Sequence, residues 1–238
     1  MSIHKQIYME ADILIFSAHP DDCEFGMGGT LMKLSKKYNV ANIVLTRGQA
    51  GTYGTPTERE KEVKDAGIHA GYHVEVLDYE DNEIEYSVKL AKEMASIIRK
   101  YKPKLIFVPY HTNNYQHTDG AAHPDHVELG KTIRAATRFA KFKNAKVEGV
   151  AHHSLKVIYY MVPRYKKPSF VIDVSDVISE LPSFWQSHKS QTQLKNGQII
   201  QYLMDSRKHT GSHNNMEYAE AFIVEEPLQL EIDTLFRI

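Results

Sequence analysis

Ile13-Leu-Ile-Phe-Ser-Ala-His-Pro-Asp-Asp-Cys-Glu24 is the stretch of sequence that decides the fold of this chain. Its apolar run, Ile13 to Phe16, predicts a buried strand, and a polar loop follows at once. Pro20 stiffens that loop, because proline fixes its own φ and favours an extended conformation at His19. After Gly26-Met-Gly-Gly-Thr30, apolar residues recur at helical spacing. A strand that leads through a loop into a helix places the loop at the carboxyl edge of a parallel sheet, where open α/β folds bind their ligands.

The rest of the first half repeats this alternation of strands and helices. Apolar runs predict further strands at 41–46, 73–78 and 104–109. The spacing over 87–100 predicts an amphipathic helix, and Thr57 followed by Glu60 predicts a capping box at the start of another. The alternation predicts an α/β fold with a doubly wound, mostly parallel sheet and helices on both faces.

The last third of the chain has a different character. Apolar runs predict strands at 155–162, 169–174 and 218–224, with helices over 176–193 and 198–208. Neither a linker nor an internal repeat interrupts the sequence. We therefore expect one domain over 1–238, made of a core at 1–150 and a C-terminal extension at 151–238 that shapes the substrate pocket.

Composition excludes several classes of protein. The 238 residues carry a formal net charge of −1, which gives no electrostatic footprint for nucleic acid. No apolar run approaches the ~18 residues of a membrane span. The start of the chain lacks the pattern of a signal peptide. A single cysteine, Cys23, cannot form an internal disulfide, which favours a cytoplasmic location, and we interpret it as a packed small residue.

A second polar cluster follows the fourth predicted strand. The long polar loop 110–122 ends in His123-Pro-Asp-His126, after which a helical pattern begins. Two clusters on one rim of a sheet can meet in space. A catalytic zinc site typically has three protein ligands and one position open for water. His19, one of Asp21 and Asp22, and a histidine of the second cluster would supply the ligands and leave the other aspartate as a base; spacing alone leaves the choice open.

Other sites are compatible with these residue types. A metal-dependent phosphoesterase would use two ions and more carboxylates, a non-haem iron oxygenase would use the same two-histidine, one-carboxylate set, and a non-catalytic module would only bind metal. A dinucleotide-binding dehydrogenase is disfavoured, because Gly26-Met-Gly-Gly lacks G-x-G-x-x-G. The adjacent His152 and His153 are interpreted as a solvated loop rather than a metal site. The glycines of loop 47–56 indicate either backbone close to a ligand or simple flexibility.

The motifs Ala18-His-Pro-Asp-Asp-Cys-Glu24, Gly28-Gly-Thr30 and His123-Pro-Asp-His126 resemble those of the PIG-L/LmbE-like zinc N-deacetylases. The resemblance continues in Asp173-Val-Ser175, His188-Lys-Ser-Gln191 and Tyr218-Ala-Glu-Ala-Phe222, and the tail is similar to the bacterial bacillithiol-type branch. It implies a Rossmann-like fold and removal of acetyl from N-acetylglucosamine on a small, bacillithiol-precursor-like conjugate. It also implies one Zn²⁺ per chain, with Fe²⁺ as the alternative, and a homo-oligomer.

The resemblance also assigns roles in the chemistry. It makes His19, Asp22 and His126 the zinc ligands and Asp21 the general base that activates water. His123 would be the imidazolium that stabilises the tetrahedral oxyanion and protonates the leaving amine.

Three further residues have supporting roles in that assignment. Asp125 would orient the His123 imidazole through a hydrogen bond. Arg59 matches a position that binds the sugar, although a solvated arginine among glutamates is the plain alternative. Glu24 would fix the loop from a buried position.

Overall fold

A computed structural model describes residues 10–112 and 122–229 of the chain. Its centre is a parallel sheet with the spatial order β3-β2-β1-β4-β5. The strands are β1 (Ile13–Ser17), β2 (Val40–Thr46), β3 (His73–Tyr79), β4 (Leu105–Pro109) and β5 (Lys156–Tyr160). The chain proceeds from β1 to β2 on one side and places β4 on the other, so the order reverses between β1 and β4. Open α/β sheets bind ligands at the carboxyl edge of such a reversal.

Helices cover both faces of this sheet, as the doubly wound prediction requires. They are α1 (Asp22–Ser35), α2 (Pro56–Ala70), α3 (Val88–Tyr101) and α4 (Pro124–Lys141). Alternate residues of β1 point to opposite faces: Leu14 and Phe16 pack with α3 and α4, and Ile13 and Ile15 pack with α1 and α2. All four side chains are buried. The predicted α/β fold class is confirmed, and α4 begins two residues before His126, as expected.

After β5, which completes the central sheet, the rest of the C-terminal extension packs against the α1 face. It contains α5 (Leu181–Trp185), α6 (Ile199–Ser212) and an antiparallel pair, β6 (Phe170–Asp173) and β7 (Ala219–Phe222). Of the helical stretch predicted over 176–193, the structure forms α5, which contains Pro182 and Trp185, and the start of the 3₁₀ turns at Gln191–Gly197. Pro182 belongs in a first helical turn, so it sets the start of α5.

The capping box of α2 lies two residues earlier than predicted. Thr55, not Thr57, is the N-cap: its hydroxyl accepts a hydrogen bond from the Glu58 backbone N–H at 3.2 Å, and Glu58 Oε2 accepts one from the Thr55 N–H at 2.8 Å. Pro56 explains the shift, because its fixed φ suits the first helical position and makes the preceding residue the cap. Within the ranges described, no helix combines the length and apolar character needed to cross a bilayer.

Candidate active site

A cavity of about 200 Å³ opens at the carboxyl edge of the sheet. It lies where the loop after β1 meets the start of α4, at the reversal of strand order. The residues that line it are His19, Asp21, Asp22, Ala50, Gly51, Arg59, Asp81, Asn82, His123 and His126. All the metal-ligand candidates from the sequence therefore line one cavity, and so do Asp21, His123 and Arg59.

Asp22 is held by the backbone of the loop that follows β1. Its Oδ2 accepts hydrogen bonds from the N–H groups of Ala18 and His19, both at 2.8 Å. Asp22 is also the first residue of α1, where the helix dipole favours a negative charge. Its other oxygen, Oδ1, faces the two imidazoles of His19 and His126.

The second cluster reaches Asp22 from α4. His126 Nε2 lies 2.9 Å from Asp22 Oδ1 and 3.2 Å from His19 Nδ1. The third side of this triangle, His19 Nδ1 to Asp22 Oδ1, is 3.5 Å. Zinc bonds of 2.0–2.2 Å in tetrahedral geometry separate the ligand atoms by about 3.3 Å, so the three donors fit such an ion. Geometry thus places Asp22, rather than Asp21, with the histidines.

The far side of the His19 ring faces two carboxylates. Its Nε2 lies 3.1 Å from Asp81 Oδ1 and 3.3 Å from Asp125 Oδ2. Burial alone would lower the pKa of His19, but Asp22, Asp125 and Asp81 outweigh it and raise the pKa to about 12. A metal bound at Nδ1 would displace the proton there, while the carboxylates at Nε2 keep the other proton on that nitrogen. His19, His123 and Asp125 form an overlapping group with donor atoms within 4.8 Å.

Asp81 was not singled out from the sequence. It follows β3 directly, and the run Asp78-Tyr-Glu-Asp-Asn82 has no motif character beyond its acidity. Its position in the sequence could have identified it. Asp81 comes after the parallel strand β3, just as His19 comes after β1 and His123 comes after β4, and these strands end at the same edge of the sheet. Asp81 Oδ2 accepts a hydrogen bond from the Ala50 N–H at 2.9 Å, which ties the loops after β2 and β3 together.

Asp125 makes different contacts from those expected. Instead of the predicted side-chain hydrogen bond to His123, its Oδ2 faces His19 and accepts the Asn82 N–H at 2.8 Å. The link to His123 runs through the backbone: the Asp125 N–H donates to His123 Nδ1 at 3.2 Å. His123 precedes α4 as its N-cap, and an N-cap side chain accepts N–H groups of the first turn. Burial and the neighbouring His19 and His126 lower the pKa of His123.

Asp21 forms the opposite wall of the cavity together with Arg59. Arg59 Nη2 lies 3.3 Å from Asp21 Oδ2, and Nη1 donates to the Gly48 carbonyl at 2.9 Å. Burial raises the pKa of Asp21 despite the opposing effect of Arg59, and the Asp22 charge adds to the rise. A carboxylate with a raised pKa suits a general base. Arg59 is only 4% exposed, so it is not a solvated surface arginine.

The glycines of the loop after β2 make room for Arg59. Gly48 has φ +67°, and a Cβ there would lie 1.9 Å from Arg59 Nη1. At Gly51 a Cβ would lie 2.7 Å from the same nitrogen. The sequence offered ligand proximity or flexibility as reasons for these glycines, and the structure supplies a third: a side chain would displace the guanidinium.

The C-terminal extension supports this loop from outside the cavity. The backbone N–H and hydroxyl of Ser190 donate to the Glu62 carboxylate on α2 at 2.8 and 2.6 Å. Gln191 Nε2 donates to the Tyr53 carbonyl at 2.8 Å. His188 is fully buried beside Glu24, with 3.9 Å between Nε2 and Oε2. The His188-Lys-Ser-Gln191 motif therefore holds the loop that carries Gly48 and Gly51.

Two residues that follow Asp22 in the chain have structural contacts. Glu24 is buried, its Oε1 accepts from the Tyr72 hydroxyl, and its carbonyl accepts from Trp185 Nε1 at 2.8 Å. Cys23 is fully buried, its Sγ accepts from Asn42 Nδ2 at 3.0 Å, and burial raises the pKa of the thiol. These contacts agree with a loop-fixing glutamate and a packed cysteine. His152 Nε2 contacts the Pro103 carbonyl at 2.7 Å and belongs to neither metal-binding group of the described residues.

Comparison with known proteins adds family information. Residues 14–137, which include both histidine clusters, match the family model PIG-L, GlcNAc-PI de-N-acetylase. The diacetylchitobiose deacetylase of Thermococcus kodakarensis is 29% identical over 192 residues, 75% of this chain and 69% of the relative. A probable N-acetyl-α-D-glucosaminyl L-malate deacetylase 2 of Bacillus cereus is 27% identical over 207 residues, 78% of this chain and 86% of the relative. A conserved protein from Thermus thermophilus superposes with a TM-score of 0.83 at 27% identity, covering 93% of this chain and 98% of that structure.

Proposed function

Because the chain belongs to the PIG-L family of GlcNAc-PI de-N-acetylases, we propose that it hydrolyses the N-acetyl group of an N-acetylglucosamine unit on a small conjugate. The observation that carries the proposal is the convergence of His19 Nδ1, Asp22 Oδ1 and His126 Nε2 in a cavity that Asp21 also lines. Three metal donors with a free carboxylate beside them match the requirements of amide hydrolysis by activated water.

The cofactor in this proposal is one Zn²⁺ per chain, held by His19, Asp22 and His126. Fe²⁺ suits the same donor set. Such an ion, when bound, lowers the pKa of water and polarises the amide carbonyl. Asp125 and Asp81 act behind His19, where they fix its ring and its tautomer. This role for Asp125 replaces the hydrogen bond to His123 that the sequence predicted.

The residues of this chain move the protons. Asp21 accepts a proton as the water oxygen attacks the amide carbon, and Arg59 holds its carboxylate in place at 3.3 Å. His123, on the exposed side of the cavity, stabilises the oxygen of the tetrahedral carbon and donates a proton to the leaving nitrogen. The C–N bond then breaks, and acetate and a free amine leave. Arg59 lines the cavity as well, which agrees with its proposed role at the sugar.

Two relatives suggest what the sugar is attached to. One is a diacetylchitobiose deacetylase, and the other is a probable N-acetyl-α-D-glucosaminyl L-malate deacetylase. The sequence favours the bacillithiol type. We propose that the chain works as a single domain, with the extension at 151–238 shaping the pocket through its contacts to the loop after β2. Homo-oligomerisation stays a prediction.

The test is acetate release from N,N'-diacetylchitobiose and from N-acetylglucosaminyl malate, with p-nitrophenyl phosphate as a probe for phosphoesterase activity. We expect acetate from at least one conjugate and no phosphate release. Dialysis against a chelator should abolish activity, and added Zn²⁺ or Fe²⁺ should restore it. His126→Ala should bind no metal by elemental analysis, whereas Asp205→Asn, an exposed change on α6, should bind one ion per chain. Phosphate release without acetate release would refute the proposal.

A further inference from the structure

The cavity wall formed by the loop between β3 and α3 is unusually acidic. This acidic loop, residues 80–87, contributes Asp81 and Asn82 to the lining of the cavity. It also carries Glu80, Glu83 and Glu85, all exposed. From residue 65 to residue 88 the chain contains no lysine or arginine that could balance these charges. The approach to the cavity on this side therefore has a negative potential.

The two arginines that follow β2, Arg47 and Arg59, already contact acidic side chains. Arg59 contacts Asp21 Oδ2 at 3.3 Å and the Gly48 carbonyl at 2.9 Å, and its side chain is 5% exposed. Arg47 Nη2 pairs with Glu60 at 3.0 Å. Residues 17–30 and 105–130, which carry the two histidine clusters, contain no lysine or arginine. Among the cavity-lining residues that the structure describes, Arg59 is the one permanent cation.

A bound divalent ion does not reverse this balance. Asp21, Asp22 and Asp81 line the cavity, and Asp125 lies directly behind His19. The three lining carboxylates balance the combined charge of Arg59 and a divalent ion, and Asp125 adds one more negative charge from behind His19, so these groups leave no excess positive charge in the cavity.

The basic residues of the extension lie in another part of the surface. Arg164, Lys166 and Lys167 line a separate cavity together with His209 and His213 of α6. That cavity shares no lining residue with the active site. Apart from the paired Arg59, no lysine or arginine among the described residues lines the active-site cavity, so a carboxylate or phosphate carried next to the reacting sugar would meet the acidic groups of loop 80–87.

We propose that the site selects N-acetylglucosamine linked to an uncharged group, such as a second sugar, and discriminates against conjugates that carry a carboxylate or phosphate beside the sugar. This inference rests on the proposed deacetylase function. Specificity of this kind arises from repulsion of the wrong substrate as much as from attraction of the right one. It favours the disaccharide chemistry over the malate chemistry that the sequence suggested.

The experiment compares two substrates that share the reacting amide: N,N'-diacetylchitobiose and N-acetylglucosaminyl malate. At low ionic strength, kcat/KM should be at least about tenfold higher for the neutral substrate. Raising the salt from about 20 to about 300 mM should increase kcat/KM for the malate conjugate several-fold and leave the disaccharide unchanged, because salt screens repulsion. Dissociation constants from calorimetry on metal-depleted protein should show the same preference and the same response to salt.

Charge variants of the loop supply the matched control. The triple variant Glu80→Gln, Glu83→Gln, Glu85→Gln should raise kcat/KM for the malate conjugate about fivefold at low salt and leave the disaccharide unchanged. Neutralising three exposed acids outside this loop, Glu148, Asp205 and Glu217, makes the same change in net charge and should affect neither substrate.

The outcomes separate the two proposals. Equal rates, a preference for the malate conjugate, or rates that do not respond to salt and loop charge would overturn the charge selection and leave the deacetylase function in place. Acetate release from neither substrate would remove the deacetylase function, and the charge selection with it.

Discussion

Replacing Gly48 with alanine should displace Arg59 and lower kcat/KM by more than the accompanying loss of folding stability explains. The backbone at Gly48 has φ +67°, a left-handed conformation that costs an alanine about 1–2 kcal/mol. The new Cβ would lie 1.9 Å from Arg59 Nη1, so the guanidinium must move by more than 1 Å, as ordinary contacts require at least about 3 Å. That movement breaks the 2.9 Å bond to the Gly48 carbonyl and the 3.3 Å contact with Asp21.

The expected loss follows from those two contacts. A hydrogen bond to a charged group contributes about 1.5–3 kcal/mol. If most of the energy of one such hydrogen bond is lost from the transition state, kcat/KM decreases by about 10- to 100-fold. The assay is acetate release with the better conjugate, alongside urea unfolding to measure stability.

Gly71→Ala is the matched control. Gly71 has φ +78° as the C-cap of α2, and a Cβ there would have no neighbour within 4 Å. It should lose a similar 1–2 kcal/mol of stability, with kcat/KM unchanged. The reasoning is refuted if Gly48→Ala keeps the parent kcat/KM, or if Gly71→Ala loses activity to the same extent.

Three other outcomes test the site and its support. Asp21→Asn should keep one metal ion per chain by elemental analysis and lose about 10²–10⁴-fold in kcat; a rate near that of Asp205→Asn would show that another group is the base. Glu220→Ala should lower the free energy of unfolding by about 3–5 kcal/mol in urea titrations, because it leaves buried Arg207, now 2.6 Å from Glu220, without its partner. Burial and the charge of Arg59 lower the pKa of His188 to about 3, so the unfolded chain binds an extra proton between that value and about 6.5. The parent should therefore lose up to about 1.4 kcal/mol of stability per pH unit as pH falls below about 6.5, and His188→Gln should lose less; equal slopes for both proteins would contradict the shifted pKa.

The sequence predicted the sheet and the two histidine clusters because both depend on local patterns. Continuous apolar runs identify buried parallel strands such as β1 and β4, and the polar residues after them fall at one edge of the sheet. Spacing could not decide between Asp21 and Asp22, because that choice depends on which carboxylate the N–H groups of Ala18 and His19 hold.

Contacts between distant segments lie outside what a pattern can show. Asp81, in the loop after β3, and Asp125, in the first turn of α4, meet at His19 Nε2 although they are more than forty residues apart, and no local signal links them. The family resemblance assigned the Asp125 side chain to His123, but the cap of α4 gives that contact to the backbone N–H of Asp125. The 176–193 prediction gave no weight to Pro182, which is tolerated in the first turn of a helix and breaks or kinks a helix interior.

The contacts of the extension to the Gly-rich loop imply that the catalytic half is not autonomous. A fragment ending near residue 150 would retain His19, Asp22 and His126, and hence every proposed metal donor. It would lose β5 from the edge of the sheet, and with it Ser190 and Gln191, which anchor Glu62 and Tyr53 around Arg59. Such a fragment should still chelate an ion while lacking an ordered general base, and supplying the missing half in trans should restore turnover by complementation.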